Sequence, residues 1–319
     1  MNKVIKRFLI LAILALFAIT AAGCGSQTNT YKPAEQKIKV ITTIYPVYEF
    51  AKQVGGDKID VSMLIPPGAE PHDWEPTAKE MAQIKSAKLF LYHGAGLEPI
   101  EKLTKKETLG DTKAVEISKG LVYADTSHED EDSHPPEIAK DHKHNHESDS
   151  HLWLDPVYAQ QEVAAIAEAL TSVDPQNAEY YKKNAAHFQG ELSQLDQDYK
   201  TTLAGVARRD IITSHAAFGY LAKRYNLKEV SIMGLSPDAE PTPDKLAKVI
   251  TFCRENNVKY IFFETLVSPK LSQTIARETN TQLLVLNPIE NLTTEELKQG
   301  KNYLSIMRDN LSNLQKALQ

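Results

Sequence analysis

The sequence predicts an α/β protein of two similar lobes, each a parallel sheet flanked by helices, joined by one long rigid backbone helix. Three observations carry this. Short apolar runs alternate with helical patterns from residue 38 to 117, the same alternation returns after residue 210, and an unbroken helical stripe lies between them. Strand, helix, strand at this spacing is what a parallel sheet covered on both faces requires.

The chain opens with Lys3, Lys6 and Arg7, runs through apolar residues 8–22, and reaches Ala22, Gly23, Cys24 and Gly25. A spanning helix needs roughly twenty apolar residues. This run is shorter, so residues 1–23 read as a signal peptide. Its end resembles a bacterial lipoprotein cleavage site in which Cys24 becomes the lipidated first residue, although Ala21 stands where leucine is commoner. A lipid there holds a soluble domain at a membrane surface. Residues 24–37 form a polar tether. Losing Lys3, Lys6 and Arg7 with the leader takes the formal charge from −6 to −9, and no basic patch suggests nucleic acid. Cys253 is then the only other cysteine, so the exported fold stands without an internal disulfide. Its stability rests on a core, which a 42% hydrophobic content can supply for two lobes of ordinary size.

The N-terminal lobe, residues 38–155, has predicted strands at 38–44, 59–65, 89–92 and 114–117 with helices between them. Within it, residues 121–150 carry nine acidic residues against Lys140 and Lys143, a balance of −7, together with His128, His134, His142, His144 and His146. So few aliphatic side chains do not offset the entropy of ordering, and the segment reads as a disordered, solvated loop. Its interleaved histidines make it an accessory site of weak metal capture.

Residues 156–207 are helical and contain the long linker helix, 175–205. Asp174 can cap that helix and Pro175 fits its first turn. Tyr181, Ala185, Phe188, Leu192, Leu195, Tyr199 and Leu203 then form one apolar stripe. At 1.5 Å per residue the rod is roughly 45 Å long, enough to run along both lobes. Gly190 costs it about 1 kcal/mol relative to alanine without forbidding it, and His187 on the rod reads as packing or surface. The C-terminal lobe, residues 208–319, repeats the alternation: strands at 211–213, 229–232, 260–263 and 283–286, helices near 216–225, 243–256, 269–279 and 294–318.

Four residues stand where strands or loops open into helices: His72 in AEPHDWEPT, His151 in SHLWLDP, His215 in TSHAAFGY and Glu264 in FFETLVSPK. Ligands of open parallel sheets bind beyond the carboxyl ends of the strands. His72, His215 and Glu264 each follow a predicted strand, and Leu152, Trp153 and Leu154 bring the chain back into the fold beside His151. One buried histidine is most often hydrogen-bonded core or a helix cap; four convergent residues are harder to place that way. Three imidazoles and a carboxylate suit a borderline metal such as zinc, and four protein ligands leave no position for a reacting water. The expectation is a protein that holds a metal in the interlobe cleft and is not an enzyme; the sequence has no HExxH helix and no Gly-x-Ser-x-Gly turn. Glu70 and Asp73 compete with Glu264 for the fourth place, but as near neighbours of His72 they would strain a tetrahedron. Asp155 is placed to orient an imidazole or to cap the helix after Pro156. His93, in YHGAGLE, also follows a strand and reads as a loop histidine beside a glycine turn.

With PHDWEPT, HLWLDP, SHAAFGY and ETLVSPK in this order around a long helix, essentially the whole mature chain resembles the zinc and manganese solute-binding lipoproteins of bacterial ABC transporters, the cluster A-I or ZnuA/AdcA/TroA-like family. The resemblance implies a lipid-anchored, extracytoplasmic monomer that captures Zn2+ as cargo and delivers it to an ABC permease and its ATPase. Manganese members usually place carboxylates in the third and fourth positions; here the third is His215, which shifts the site towards zinc. Some zinc members carry a disulfide in the second lobe, whereas this chain has only Cys253 there. A manganese-binding member of the same family, or a surface adhesin or metal buffer, is the alternative reading.

Overall fold

In a computed structural model, residues 37–121, 149–237 and 240–319 are described. Cys24 and the loop histidines His128, His134, His142, His144 and His146 lie outside the described residues.

The first sheet is parallel, in the order β2–β1–β3–β4, from Ile38–Thr42 (β1), Ile59–Met63 (β2), Leu89–Tyr92 (β3) and Lys113–Glu116 (β4). Helices Tyr45–Gly55 (α1), Ala78–Lys85 (α2) and the short Ile100–Leu103 (α3) and Lys106–Leu109 (α4) connect these strands. Thr77 opens α2 with a capping box shared with Glu80. In the C-terminal half, Asp210–Thr213 (β5) pairs in parallel with Lys228–Ser231 (β6), and Tyr260–Phe263 (β7) with Gln282–Val285 (β8). β5 lies beside β7, so the two ladders form one side of the lobe. Its helices are Gly219–Arg224 (α7), Pro243–Glu255 (α8), Lys270–Thr279 (α9), Thr294–Lys298 (α10) and Tyr303–Leu318 (α11).

Between the halves, Pro156–Val173 (α5) and Ala178–Ala204 (α6) pack against each other. The linker helix begins later than its sequence suggested, because 175–177 form a 3₁₀ turn. Asp174 makes no cap; its carboxylate accepts from Asn177 and from the Tyr181 hydroxyl instead. The predicted stripe is buried without exception, and it serves both halves. Phe188 meets Phe50 of α1 at 5.7 Å between ring centroids, and the Tyr199 hydroxyl donates to the Met307 carbonyl of α11 at 2.7 Å. One continuous apolar cluster therefore joins α1, α5, α6 and α11.

The predicted helix 294–318 is two helices. Gly300 takes a positive φ of 71°, and Asn302 starts α11 with a capping box to Ser305, so the chain turns between α10 and α11. Among the described residues no helix is long and apolar enough to cross a membrane.

Candidate metal centre

Each site residue is delivered by the end of a regular element. His72 lies in the loop after β2, where Gly68 turns with φ 83° and donates its N–H to the Leu292 carbonyl at 2.9 Å. His151 precedes a 3₁₀ turn over Leu152–Leu154, and Asp155 then caps α5 by accepting from the Val157 N–H at 2.8 Å. Asp155 also pairs with Arg224 and takes no part in orienting an imidazole. His215 follows β5 by two residues, and Glu290 lies five residues beyond the end of β8.

The structure brings His72, His151, His215 and Glu290 together, with one ligand atom from each lying within 4.8 Å of all the others. Glu290 Oε1 is 2.9 Å from His151 Nε2, 3.3 Å from His215 Nε2 and 3.4 Å from His72 Nε2; the His151 and His215 Nε2 atoms are 3.3 Å apart. Two ligand atoms each about 2.0 Å from a tetrahedral zinc are separated by roughly 3.3 Å. These four separations match the edges of a zinc tetrahedron, and the remaining two are within 4.8 Å.

Glu264, expected as the fourth ligand, is not in this group. Its carboxylate accepts from His215 Nδ1 at 2.7 Å and from the Ser214 hydroxyl, on the opposite side of the ring from the cluster. Asp149 does the same for His151, accepting from Nδ1 at 2.8 Å and from the His151 backbone N–H at 2.9 Å. Each carboxylate keeps a proton on Nδ1 and turns Nε2, the nitrogen a metal would take, towards the centre. Glu70 accepts the His72 N–H at 3.2 Å; burial and the Glu290 charge push its carboxyl up to about 9.

Glu290 comes from a segment bound on every side. The Tyr45 N–H donates to its carbonyl at 3.1 Å, Trp153 Nε1 to the Pro288 carbonyl at 2.7 Å, and Asn310 Nδ2 to the Asn287 carbonyl at 2.7 Å. Asn291 Nδ2 reaches back to the carbonyls of Pro66 and Ala69. These contacts hold buried Ile289 at a φ of 60°, a conformation a β-branched residue rarely adopts.

His151 and Glu290 are almost wholly buried, as is His215, while the His72 side chain keeps 14% exposure and marks the open side. Burial alone would lower the His151 imidazole, but the Asp149 and Glu290 carboxylates outweigh it and hold the group at about 9. His215 is likewise raised, against its burial, by Glu264 and Glu290. Glu290 is held well below the usual carboxylate range by the three imidazoles, although burial pulls the other way. Without metal, protons and Glu290 thus balance the charge; a divalent cation would replace those protons.

Residues 40–317 match the family described as zinc-uptake complex component A, periplasmic. The chain belongs to that family. Within this zinc-uptake component A family it is similar to the high-affinity zinc uptake system protein ZnuA of Bacillus subtilis, 41% identical over 317 residues and 98% of each chain. It is 39% identical over 308 residues to the zinc-binding lipoprotein AdcA of Streptococcus pneumoniae, spanning 95% of this chain and 60% of that one. The crystal structure of the Zn(II)-bound ZnuA-like domain of that AdcA superposes with a TM-score of 0.74 at 37% identity, over 89% of this chain and 99% of the domain.

The sequence singled out the three histidines but neither Glu290 nor Asp149. Glu290 had a usable signal, since it too follows the carboxyl end of a strand, in NPIENLT. Asp149 is the last acid of the run 121–150 and looked like solvated charge; in the fold it is 2% exposed. His93, read as a loop histidine, is fully buried.

Proposed function

We propose that this protein is an extracytoplasmic zinc-binding protein that captures Zn2+ through His72, His151, His215 and Glu290 and delivers it to an ABC permease driven by its ATPase. The observation that carries this is the set of three Nε2 atoms within 3.4 Å of one carboxylate oxygen, with two of the imidazoles held at Nδ1 by carboxylates. Three nitrogens to one oxygen favour zinc over manganese. A shell filled by four protein atoms stores an ion and activates no water, which supports a carrier and not an enzyme. Glu264 serves in this reading as the acceptor that orients His215. Lipidation at Cys24 would hold the protein, as a monomer, on the outer face of the cell membrane. The histidines of the acidic segment, His128, His134, His142, His144 and His146, would collect zinc weakly at the mouth of the site.

The test is the metal content of protein purified without added metal, with affinities for the single alanine variants of the four ligands. One zinc per chain, weakened in each histidine variant, is expected. Manganese at that stoichiometry, or a histidine variant that binds as tightly as the parent, would refute the assignment.

A further inference from the structure

His93 and Glu162 lie outside the metal centre, and nothing described so far uses them. Both side chains are fully buried. His93 stands one residue beyond β3, and its ring meets Trp153 edge-on, 4.8 Å between centroids. Its backbone is fixed at both polar atoms: the N–H donates to Glu98 Oε1 at 2.7 Å, and the carbonyl accepts from Ser118 Oγ at 2.6 Å. The base of this side chain is therefore rigid.

The ring's free end is 2.6 Å from the Ser150 carbonyl oxygen, through Nε2. A carbonyl only accepts, so Nε2 carries the hydrogen. Burial pushes the imidazole down to about 3, which leaves the ring neutral and Nδ1 a bare lone pair. Glu162, from the middle of α5, faces that lone pair with Oε1 at 3.4 Å. Burial, then the Asp155 and Glu98 charges, raise the Glu162 carboxyl well above its usual range, so it carries a proton. Among the described residues neither Nδ1 nor either Glu162 oxygen has a hydrogen-bond partner. The Glu162 acid, its Oε1 3.4 Å from Nδ1, is the group placed to give that lone pair an O–H after a small rotation.

The Ser150 carbonyl belongs to the same peptide unit as the His151 N–H. That unit is held at both ends, the carbonyl by His93 and by the Leu152 N–H at 2.9 Å, and the N–H by Asp149 Oδ1 at 2.9 Å. The Leu152 and Asp149 bonds lie within the same short stretch of chain and move with it, whereas the His93 bond ties the peptide, and the imidazole it carries, to the end of β3. We propose that His93, kept in its Nε2–H tautomer by the Glu162 carboxyl, is a positioning residue of the metal centre that clamps the Ser150–His151 peptide and so sets how fast the metal leaves. This rests on the reading of His72, His151, His215 and Glu290 as a zinc site.

The experiment is release of zinc from the loaded full chain into excess chelator, followed by stopped flow, alongside the Tm of the metal-free protein. Loss of partners that orient a ligand typically costs 10–100-fold in metal affinity, and His93 acts one step further out, so His93→Leu should speed release about tenfold. His93→Gln, whose amide N–H can reach the Ser150 carbonyl, should recover part of that. Glu162→Gln, which still offers an N–H to Nδ1, should release zinc more slowly than Glu162→Leu. Phe90→Leu, in the separate apolar patch with Leu64, Ile84 and Leu103, is the control: it should lower Tm and leave release unchanged. Release from His93→Leu at the parental rate, a glutamine variant no better than its leucine counterpart, or a control as fast as His93→Leu would overturn the proposal. Should the leucine variants fail to fold, nitrogen-15 NMR of the metal-free parent decides: a His93 ring protonated at Nε2 alone is expected, and the other tautomer or an imidazolium refutes the clamp. A parent that binds no zinc tightly would instead defeat the metal-site reading, and the NMR result would stand apart from it.

Discussion

The two glutamates Glu264 and Glu290 follow neighbouring strands of one lobe, yet they act on opposite faces of His215. Glu290→Ala removes a ligand that water can replace, and Glu264→Ala removes the acceptor that orients a ligand; a loss of about 10–100-fold in zinc affinity is expected for the second. In Glu290→Ala a water should take the place of the carboxylate oxygen, so X-ray absorption spectra keep the nitrogen and oxygen count but lose the carboxylate carbon of the outer shell, whereas Glu264→Ala should keep that carbon. Loss of the carbon in Glu264→Ala alone would reverse the two roles. The site's protons give a second prediction. With burial opposing and Asp149 and Glu290 prevailing, His151 holds its proton up to about 9. A folded value above the ordinary histidine value of about 6.5 means the metal-free protein has this contribution in full below about 6.5 and loses it as pH rises through about 9. Zinc must displace the same proton, so its apparent affinity should climb across that window. Chelator competition at several pH values, with Tm of the metal-free form, checks both slopes; an affinity flat from pH 6.5 to 9 would contradict the protonated state. At this scale the sequence was partly legible. His72 and His215 drew notice by following strands and His151 by the apolar Leu152–Leu154 beside it, whereas His93, which also follows a strand, packs against Trp153 outside the cluster. Which carboxylate joins them depends on where side chains point after a strand ends, and residue type carries no record of that.

The linker helix α6 was readable almost to its last turn, because a stripe of seven apolar positions at helical spacing admits no other element. Its start was less so, since Asp174 had a better partner in Tyr181 than in the helix end. The break between α10 and α11 was missed because the apolar positions on both sides suit one helix, and only the Gly300 and Asn302 pair marks the turn. Leu192 is wholly buried at the middle of α6, so Leu192→Ala should cost about 2–5 kcal/mol in denaturant unfolding, with zinc affinity little changed. A large affinity loss would mean that the helix positions the ligands directly. The acidic segment sets a different boundary from the one its composition suggests. Deleting residues 125–146 spares Asp149 and should keep the tight site while removing weak extra equivalents from a calorimetric titration. Extending the deletion through Asp149 strips the Nδ1 acceptor from His151 and should weaken the tight site too.

The two halves share one apolar cluster, and the segment 287–292 is hydrogen-bonded to the N-terminal half at Tyr45, Pro66, Gly68 and Ala69. These shared contacts oppose closure of the two halves about a hinge. Small-angle scattering of the metal-free and zinc-loaded forms should therefore superimpose, and a marked fall in radius of gyration on loading would contradict this. Release then falls to local motion around single ligands, consistent with a partner that binds the emptied form better. The ligand atoms themselves come from positions 72, 151, 215 and 290, so no fragment of the chain holds more than part of the shell. A nascent or half-translated polypeptide offers the ion scattered imidazoles and nothing tight. Full zinc affinity should for this reason act as a certificate of completed assembly, reached only by copies whose last strand has already found its place.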